Sequence, residues 1–323
     1  MTVGADTEPA APPPGTVVTE AAVDADDARS VVRRSYDQYH RRLEAGEHAR
    51  HARFMNFGYL TVPGVADRNE LPIPRLLPNA EGARLVGEII GPVVLDGQAV
   101  IDVGCGRGGA LWLATREPAP RVAFGFDLSA AGARAAEQTL HDRPHATAGV
   151  ADAEALPVAT SSIDVVLNVE SSLHYPHLER FYAEVARVLR TDGTFCYGDL
   201  FHIAAGDAYA VALQACGLTI EVERDVTENV LAARRARGER QRRALDGSDA
   251  ARSAGPGTDA DAARFVAEPG TPFFDAMADG TLAYRLIQAR RTGAPAAAPA
   301  ADRRLRAAAT LARALTGEFD GAS

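Results

Sequence analysis

The sequence predicts an α/β fold with a mostly parallel seven-stranded sheet, helices on both faces and an N-terminal helical cap. An apolar run, Ala99 to Val103, stops at a cluster of glycines, and a second run, Val122 to Phe126, stops at Asp127. Parallel sheets bind a nucleoside with a strand, a glycine turn, a helix and an acid at the tip of the next strand. Glycine admits the ligand close to the backbone, and a carboxylate can accept hydrogen bonds from both ribose hydroxyls.

The other elements follow from apolar periodicity and from breaks in composition. In the cap, the apolar positions Val32, Tyr36, Tyr39 and Leu43 recur at helical spacing from Asp27 onward. Further strands are predicted at 146–150, 162–169, 194–198, 218–224 and 282–289. Helices are predicted at 81–90, 130–140, 181–190, 208–217, 226–245 and 301–316, with a stop at Thr191-Asp192-Gly193 before the fifth strand. We therefore expect a disordered tail (1–26), the cap (27–79), the sheet domain (80–291) with a basic helix and a mobile loop at 226–263, and a C-terminal tail (292–323).

Composition excludes several function classes. The net charge is −9 and the chain is 46% apolar, which argues against a dedicated nucleic-acid binder and allows a large core. There is no run of ~18 apolar residues and no signal-peptide pattern, so we expect a soluble cytoplasmic protein without membrane contact. The three cysteines are widely separated and form no metal pair, and we expect no metal. The arginine run 234–243 predicts a solvated helix face. The first alternative is a lid or a contact for an anionic substrate, and the second is nucleic-acid binding.

The glycine spacing separates two kinds of nucleotide site. A dinucleotide motif reads Gly-x-Gly-x-x-Gly, whereas this chain has Asp102-x-Gly104-x-Gly106-x-Gly108. The acid would repel a phosphate but could pair with an ammonium group. At this point the sequence resembles the Rossmann-like class I S-adenosylmethionine-dependent methyltransferases. The resemblance implies S-adenosylmethionine as cofactor, with Gly104 and Gly106 against its methionine part and Asp127 on its ribose. It also implies that Asp152 accepts a hydrogen bond from the adenine amino group and that the backbone amide of Ala153 faces a ring nitrogen. Leu128 is a further expected cofactor contact.

The loop after the fourth strand, Asn168 to His177, carries one acid, two serines, two histidines and a tyrosine. In open α/β sheets ligands bind beyond the carboxyl ends of the strands, where this loop must lie. Methyl transfer to a hydroxyl needs alignment and removal of a proton, and histidine is the usual base near neutral pH. We therefore take His174 as the candidate catalytic base. The alternative is a packed histidine, with catalysis by proximity alone. Asp199, which ends the fifth strand, is at most a single ligand for a metal.

This loop, together with Phe54-Met-Asn-Phe-Gly-Tyr59, resembles the small-molecule methyltransferases of actinobacterial secondary metabolism. That group includes phthiotriolone, rifamycin and rebeccamycin O-methyltransferases. The resemblance implies that the segment 56–60 closes over the cofactor with Tyr59 toward the sulfonium, and that Asn168 and Glu170 line the cofactor. Tyr36 and Tyr39 would cap an acceptor pocket, and Ser172 and Tyr175 are further expected substrate contacts. For the three tyrosines 36, 39 and 59, ordinary aromatic packing is the alternative.

The function expected from these residues is methylation of a hydroxyl on a small-molecule secondary metabolite, such as a polyketide, an aromatic compound or a glycoside in antibiotic biosynthesis. C- or N-methylation on the same fold is the first alternative. An NAD-dependent oxidoreductase and a binding protein without turnover are the others. The expected partner is the small-molecule acceptor, and a homodimer or larger homo-oligomer is compatible with the sequence.

Overall fold

In a computed structural model, residues 20–45, 52–116, 119–246, 268–294, 298–300 and 302–307 are described. The helices are α1 (Glu20–Ala45), α2 (Ala80–Ile90), α3 (Gly109–Ala114), α4 (Ala130–Thr139), α5 (Leu178–Val188), α6 (Ala208–Ala215), α7 (Thr227–Asp246) and α8 (Pro272–Ala278). The strands are β1 (Ala99–Val103), β2 (Val122–Asp127), β3 (Ala146–Val150), β4 (Ile163–Val169), β5 (Leu189–His202), β6 (Leu218–Asp225) and β7 (Leu282–Arg291).

The strands form one seven-stranded sheet in the order β3-β2-β1-β4-β5-β7-β6. All neighbours from β3 to β5 pair in parallel, and β7 runs antiparallel to both β5 and β6. Because successive side chains of a strand point to opposite faces, the strands contribute side chains to a hydrophobic core on each face of the sheet. Val100 and Val165 pack with α2 and α8 on one face, and Ile101 and Val166 pack with α5 and α6 on the other. Helices therefore cover both faces of the sheet, as predicted.

Two boundaries differ from the sequence prediction. Helix α1 begins at Glu20 rather than Asp27, so residues 20–26 are helical and do not belong to a disordered tail. Strand β5 begins at Leu189 rather than Thr194, because Leu189 pairs with Ile163 directly after α5 ends. The segment Thr191-Asp192-Gly193, predicted as a stop before the strand, forms an irregularity within β5, where Asp192 has a φ of 62° and the register shifts.

The remaining predictions at the ends and in the basic region are tested only in part. Residues 303–307 are helical, and Leu305 is buried in the core that contains α5 and α6. The expected mobile loop at 247–263 and residues 1–19 lie outside the described residues. On α7, Arg240 is half exposed, as a solvated face requires, but Arg234 is buried.

Candidate active site

A cleft opens at the carboxyl ends of β1, β2 and β4 and lies beneath α1, with about 1410 Å³ of space when its open mouth is included. The shared register of these strands brings Asp102 level with Gly125 on β2 and Leu167 on β4, so their C-terminal residues meet at one edge. Most residues predicted for the cofactor or the substrate line this cleft. They are Tyr36, Tyr39, Asp102, Gly104, Gly106, Asp127, Leu128, Asp152, Ala153, Glu170, His174 and Tyr175.

The glycine turn after β1 is held against the tip of β2. Gly104 has a φ of 74°, and a Cβ there would collide with Ser171 Oγ and come within 2.8 Å of the Tyr175 hydroxyl. The Gly106 amide donates to Asp127 Oδ2 at 2.8 Å, and the Ser129 amide donates to Asp127 Oδ1 at 2.8 Å. Burial raises the pKa of Asp127 to about 6, although these two hydrogen bonds lower it. Asp127 thus fixes the turn and presents a carboxylate at its edge.

Asp102 is the least satisfied acid of the cleft. Its residue is 1% exposed, and no hydrogen-bond donor lies on Oδ1 among the residues that the structure describes. Burial, and then the charge of Asp127, raise the pKa of Asp102 to about 7. A buried acid without a donor is costly when ionised, so this position favours a ligand that brings a positive charge or a donor of its own.

At the end of β3, the acids meet the cap. Arg29 of α1 forms ion pairs with Asp152, at 3.1 Å from Nε, and with Glu154. Burial raises the pKa of Glu154 to about 7, while Arg29 and the His177 amide, which donates at 2.9 Å, lower it. His177 Nδ1 also lies 3.3 Å from Glu154, with the histidine side chain 12% exposed. This edge of the cleft is therefore closed by α1.

The loop after β4 brings two titratable side chains to the opposite wall. Glu170 has a φ of 50°, and both of its carboxylate oxygens accept a hydrogen bond from the Phe57 amide, at 2.9 and 3.0 Å. Burial raises its pKa to about 8. His174 is buried at the end of a short 3-10 turn, and the Tyr36 ring meets its imidazole edge-on with centroids 5.4 Å apart. The structure therefore brings the candidate base and the cap tyrosine together.

Two predicted cofactor residues do not line the cleft. The Asn168 amide nitrogen donates to the Val103 carbonyl at 2.8 Å and to Ser171 Oγ at 2.7 Å, so this side chain ties β4 to β1 beneath the surface. Tyr59 is 1% exposed and its hydroxyl donates to Asp67 Oδ1 at 3.0 Å. Tyr59 faces the interior instead of a sulfonium group, which makes packing the correct alternative for this tyrosine.

Ser172 was predicted to contact the substrate, and that prediction is wrong. Its hydroxyl donates to Asp199 Oδ2 at 2.6 Å and lies 2.5 Å from the Tyr197 hydroxyl. The same Asp199 oxygen accepts the Ser172 amide at 2.8 Å and the Leu173 amide at 3.2 Å. Because these three donors share one carboxylate oxygen, Asp199 serves as an anchor for the loop. No metal-binding group of acids, histidines or cysteines occurs among the described residues.

Sequence reasoning missed the residues by which α1 holds the site. Asp37 accepts Ser129 Oγ at 2.6 Å and the Ala131 amide at 3.1 Å, directly beside Asp127. Arg29 lies seven residues before Tyr36, on the same face of α1, whereas Asp37 directly follows Tyr36 and does not share that spacing. Helical spacing could therefore have placed Arg29 on the face toward the cleft, but not identified the acids that it binds.

The segment before the glycine turn lies across it. Met55 lies near Gly106, where a Cβ would be 3.3 Å from Met55 Sδ. Phe54 packs edge-on against Trp112 of α3, with ring centroids 6.2 Å apart, and the Arg53 guanidinium stacks on the same indole at 4.1 Å. Residues 53–57 therefore form a wall beside the glycine turn.

Residues 101–197 match the family model described as a methyltransferase domain, and they contain the glycine turn, Asp127, Asp152 and His174. This segment is a methyltransferase domain. The seven-stranded sheet and the covering helices have the class I S-adenosylmethionine-dependent methyltransferase architecture, so the predicted fold class is confirmed.

Relatives of the methyltransferase domain include a phthiotriol/phenolphthiotriol dimycocerosates methyltransferase of Mycobacterium tuberculosis, 37% identical over 55% of this chain and 64% of the relative. A fatty-acid O-methyltransferase of Mycolicibacterium smegmatis is 32% identical over 55% of this chain and 66% of the relative. The chain thus spans less than two thirds of either protein. A solved structure of a putative sarcosine dimethylglycine methyltransferase from Galdieria sulphuraria is similar in fold, with a TM-score of 0.60, 14% identity and coverage of 80% and 98% of the two chains. Within the described residues, no helix is long and apolar enough to cross a membrane.

Proposed function

We propose that this protein transfers a methyl group from S-adenosylmethionine to a hydroxyl of a lipid-like small molecule in natural-product biosynthesis. The observation that carries the proposal is Asp102, a buried carboxylate that lines the cleft beside the glycine turn and has no donor on Oδ1 in the described part of the chain. The ammonium group of the methionine moiety would supply both the missing donor and the missing charge.

The other acids fit the remaining parts of the same cofactor. Asp127 lies at the tip of β2, where a ribose would bind, and Asp152 lies at the end of β3, where an adenine amino group would bind. Gly104 and Gly106 leave room where a Cβ would meet Tyr175 or Met55. When bound, S-adenosylmethionine supplies an electrophilic methyl group on a sulfonium centre.

The acceptor would lie between α1 and the loop after β4. The wall there is largely apolar, with Phe57, Leu173, Leu200 and Phe273 lining the cleft. His174 would take the proton of the acceptor hydroxyl, and the edge-on Tyr36 ring holds its imidazole in place. An apolar chamber of this kind fits a lipid-like acceptor, and the names of the mycobacterial relatives support that class.

Calorimetry with S-adenosylhomocysteine and with NAD tests the cofactor directly, and binding of NAD alone would contradict the proposal. Radiolabelled methyl transfer to a panel of hydroxylated aliphatic and aromatic compounds then identifies an acceptor. With that acceptor, we expect His174→Ala to lower turnover by ~10²-fold or more without changing the affinity for S-adenosylhomocysteine. The exposed His145 provides the matched control, His145→Ala. An unchanged rate in His174→Ala would favour methylation of carbon or of an amine instead.

A further inference from the structure

Two hydroxyl groups lie against the glycine turn on the side of the loop after β4. A Cβ added at Gly104 would have Ser171 and the Tyr175 hydroxyl as its nearest neighbours, the latter at 2.8 Å. Both residues also line the cleft. Their position matters because Gly104 is only two residues from Asp102, the acid that the proposed function pairs with the ammonium group of the cofactor.

The hydrogens of this cluster allow two arrangements. The Asn168 side-chain amide donates to the Val103 carbonyl at 2.8 Å and to Ser171 Oγ at 2.7 Å. The Ser171 and Tyr175 hydroxyls are 2.9 Å apart, and either can be the donor. If Tyr175 donates, Ser171 can turn to the Val103 carbonyl at 3.2 Å. If Ser171 donates instead, the Tyr175 hydrogen is left for a ligand, and every group of the cluster still has a partner.

The Tyr175 side chain is held in place and protonated. Its ring meets the Phe181 ring edge-on, with centroids 4.9 Å apart. Burial raises the pKa of its hydroxyl, the hydrogen bond with Ser171 lowers it, and the charge of Asp127 raises it further, so that it stays well above the usual range. The phenol therefore remains a hydrogen-bond donor at any working pH.

The backbone of the glycine turn uses its first donors within the protein. The Gly104 and Cys105 amides both donate to the Phe126 carbonyl, at 2.7 and 3.0 Å. The next amide, that of Gly106, donates to Asp127 Oδ2 at 2.8 Å. A carboxylate placed beside the start of the turn would therefore depend on side-chain donors.

Three arginines that line the cleft have partners on other elements. Arg29 pairs with the acids that follow β3, and the Arg53 guanidinium stacks on the Trp112 indole. Arg107 faces Glu44 of α1. The donors that lie closest to Gly104 are instead the two neutral hydroxyls.

We infer that the Tyr175 hydroxyl donates a hydrogen bond to the carboxylate of the cofactor's methionine part, and that Ser171 is the positioning residue that holds this hydroxyl at the turn. The inference rests on the proposed function, because it assigns one contact of the same cofactor. It moves Tyr175 from the acceptor, where the sequence prediction placed it, to the cofactor. The charges of Asp127 and Asp199 also face this hydroxyl and would repel a lone anion. The site therefore favours a carboxylate that carries its own ammonium group, which meets Asp102.

Calorimetry on the full chain without acceptor tests the inference with S-adenosylmethionine and its decarboxylated form, which keeps the ammonium and sulfonium groups and lacks only the carboxylate. We expect Tyr175→Phe to bind S-adenosylmethionine ~10-fold or more weakly, because it loses a hydrogen bond to a charged group. Its affinity for the decarboxylated compound should not change. The matched control is Tyr209→Phe, which removes a buried hydroxyl of α6 outside the cleft and should leave both affinities unchanged.

The role of Ser171 is tested by a double-mutant cycle. Ser171→Ala alone should weaken binding of S-adenosylmethionine less than Tyr175→Phe does. Because Ser171 acts through Tyr175, the double variant should bind no more weakly than Tyr175→Phe alone. Additive losses would contradict the positioning role, since they would mean that Ser171 meets the cofactor independently.

Two results for Tyr175→Phe would overturn the inference. The first is an unchanged affinity for S-adenosylmethionine. The second is an equal loss of affinity for both compounds, which would show that the hydroxyl only supports the turn. By contrast, Asp102→Asn should weaken binding of both compounds, since both carry the ammonium group. Failure of the unmodified protein to bind S-adenosylmethionine would contradict the proposed function itself, so the two failures are distinguishable.

Discussion

Replacing Asp102 by asparagine should make the ligand-free protein more resistant to alkaline pH while impairing its site. The pKa of Asp102 is raised from 3.8 to about 7. Each tenfold change in proton affinity corresponds to about 1.4 kcal/mol, so ionising this group costs the folded state at most ~4 kcal/mol. Because the folded pKa lies above the unfolded one, the stability from the protonated acid is complete below pH 3.8 and lost as the pH rises to about 7. Most of the loss, about 2–3 kcal/mol, falls between pH 5 and pH 8.

The asparagine of the Asp102→Asn variant cannot ionise. Between pH 5 and pH 8, the free energy of unfolding of this variant should therefore fall by about 2–3 kcal/mol less than that of the unmodified protein. The buried amide adds a constant cost that cancels in the comparison. Urea unfolding at pH 5 and pH 8 measures the difference, and Asp96→Asn, at an exposed position, is the control. Calorimetry should also show that Asp102→Asn binds S-adenosylhomocysteine more weakly. The reasoning would be refuted if Asp102→Asn and the unmodified protein differed in free energy of unfolding by the same amount at pH 5 and pH 8, and bound S-adenosylhomocysteine equally well.

Two further substitutions test the turn and the cap. Gly104→Ala and Gly97→Ala both place a side chain at positive φ, at a cost of about 1–2 kcal/mol each, but only Gly104 has neighbours within 4 Å of the added Cβ. Gly104→Ala should therefore melt several degrees below Gly97→Ala and lose S-adenosylhomocysteine binding; equal melting temperatures would show that Ser171 and Tyr175 yield freely. Arg29→Gln removes the ion pairs of α1 to Asp152 and Glu154. In the ligand-free state, chymotrypsin should therefore cleave α1 faster in this variant than in Arg34→Gln, the control at an exposed position. Equal cleavage rates would mean that these pairs do not hold the helix down.

The sequence was sufficient to locate the strands, apart from the start of β5, and the acids at or near their carboxyl ends. Apolar runs that stop at a glycine or an acid indicate both the strand and its direction, so the sequence alone predicts that Asp102, Asp127 and Asp152 line one cleft, as they do. This success has a physical basis, because a residue at the carboxyl end of a parallel strand has little freedom in where it can lie.

The errors fall where a side chain can rotate to either of two sides. Within the 3-10 turn, His174 reaches the cleft, while Ser172 turns inward because Asp199 offers a buried acceptor. Asn168 turns toward β1 because the Val103 carbonyl lies there. The partner that decides each orientation is distant in the sequence, so local pattern cannot supply it. Arg29 was missed for the same reason, since its acids lie on another element.

Trp112 is the single tryptophan of the chain, and its indole is covered by Phe54 and Arg53. These two residues begin the stretch that lies over the glycine turn. Any shift of that stretch on ligand uptake must change the surroundings of the one indole. The protein thus contains an intrinsic fluorescent reporter, and titrations could be followed by emission without attaching a dye or introducing a new side chain.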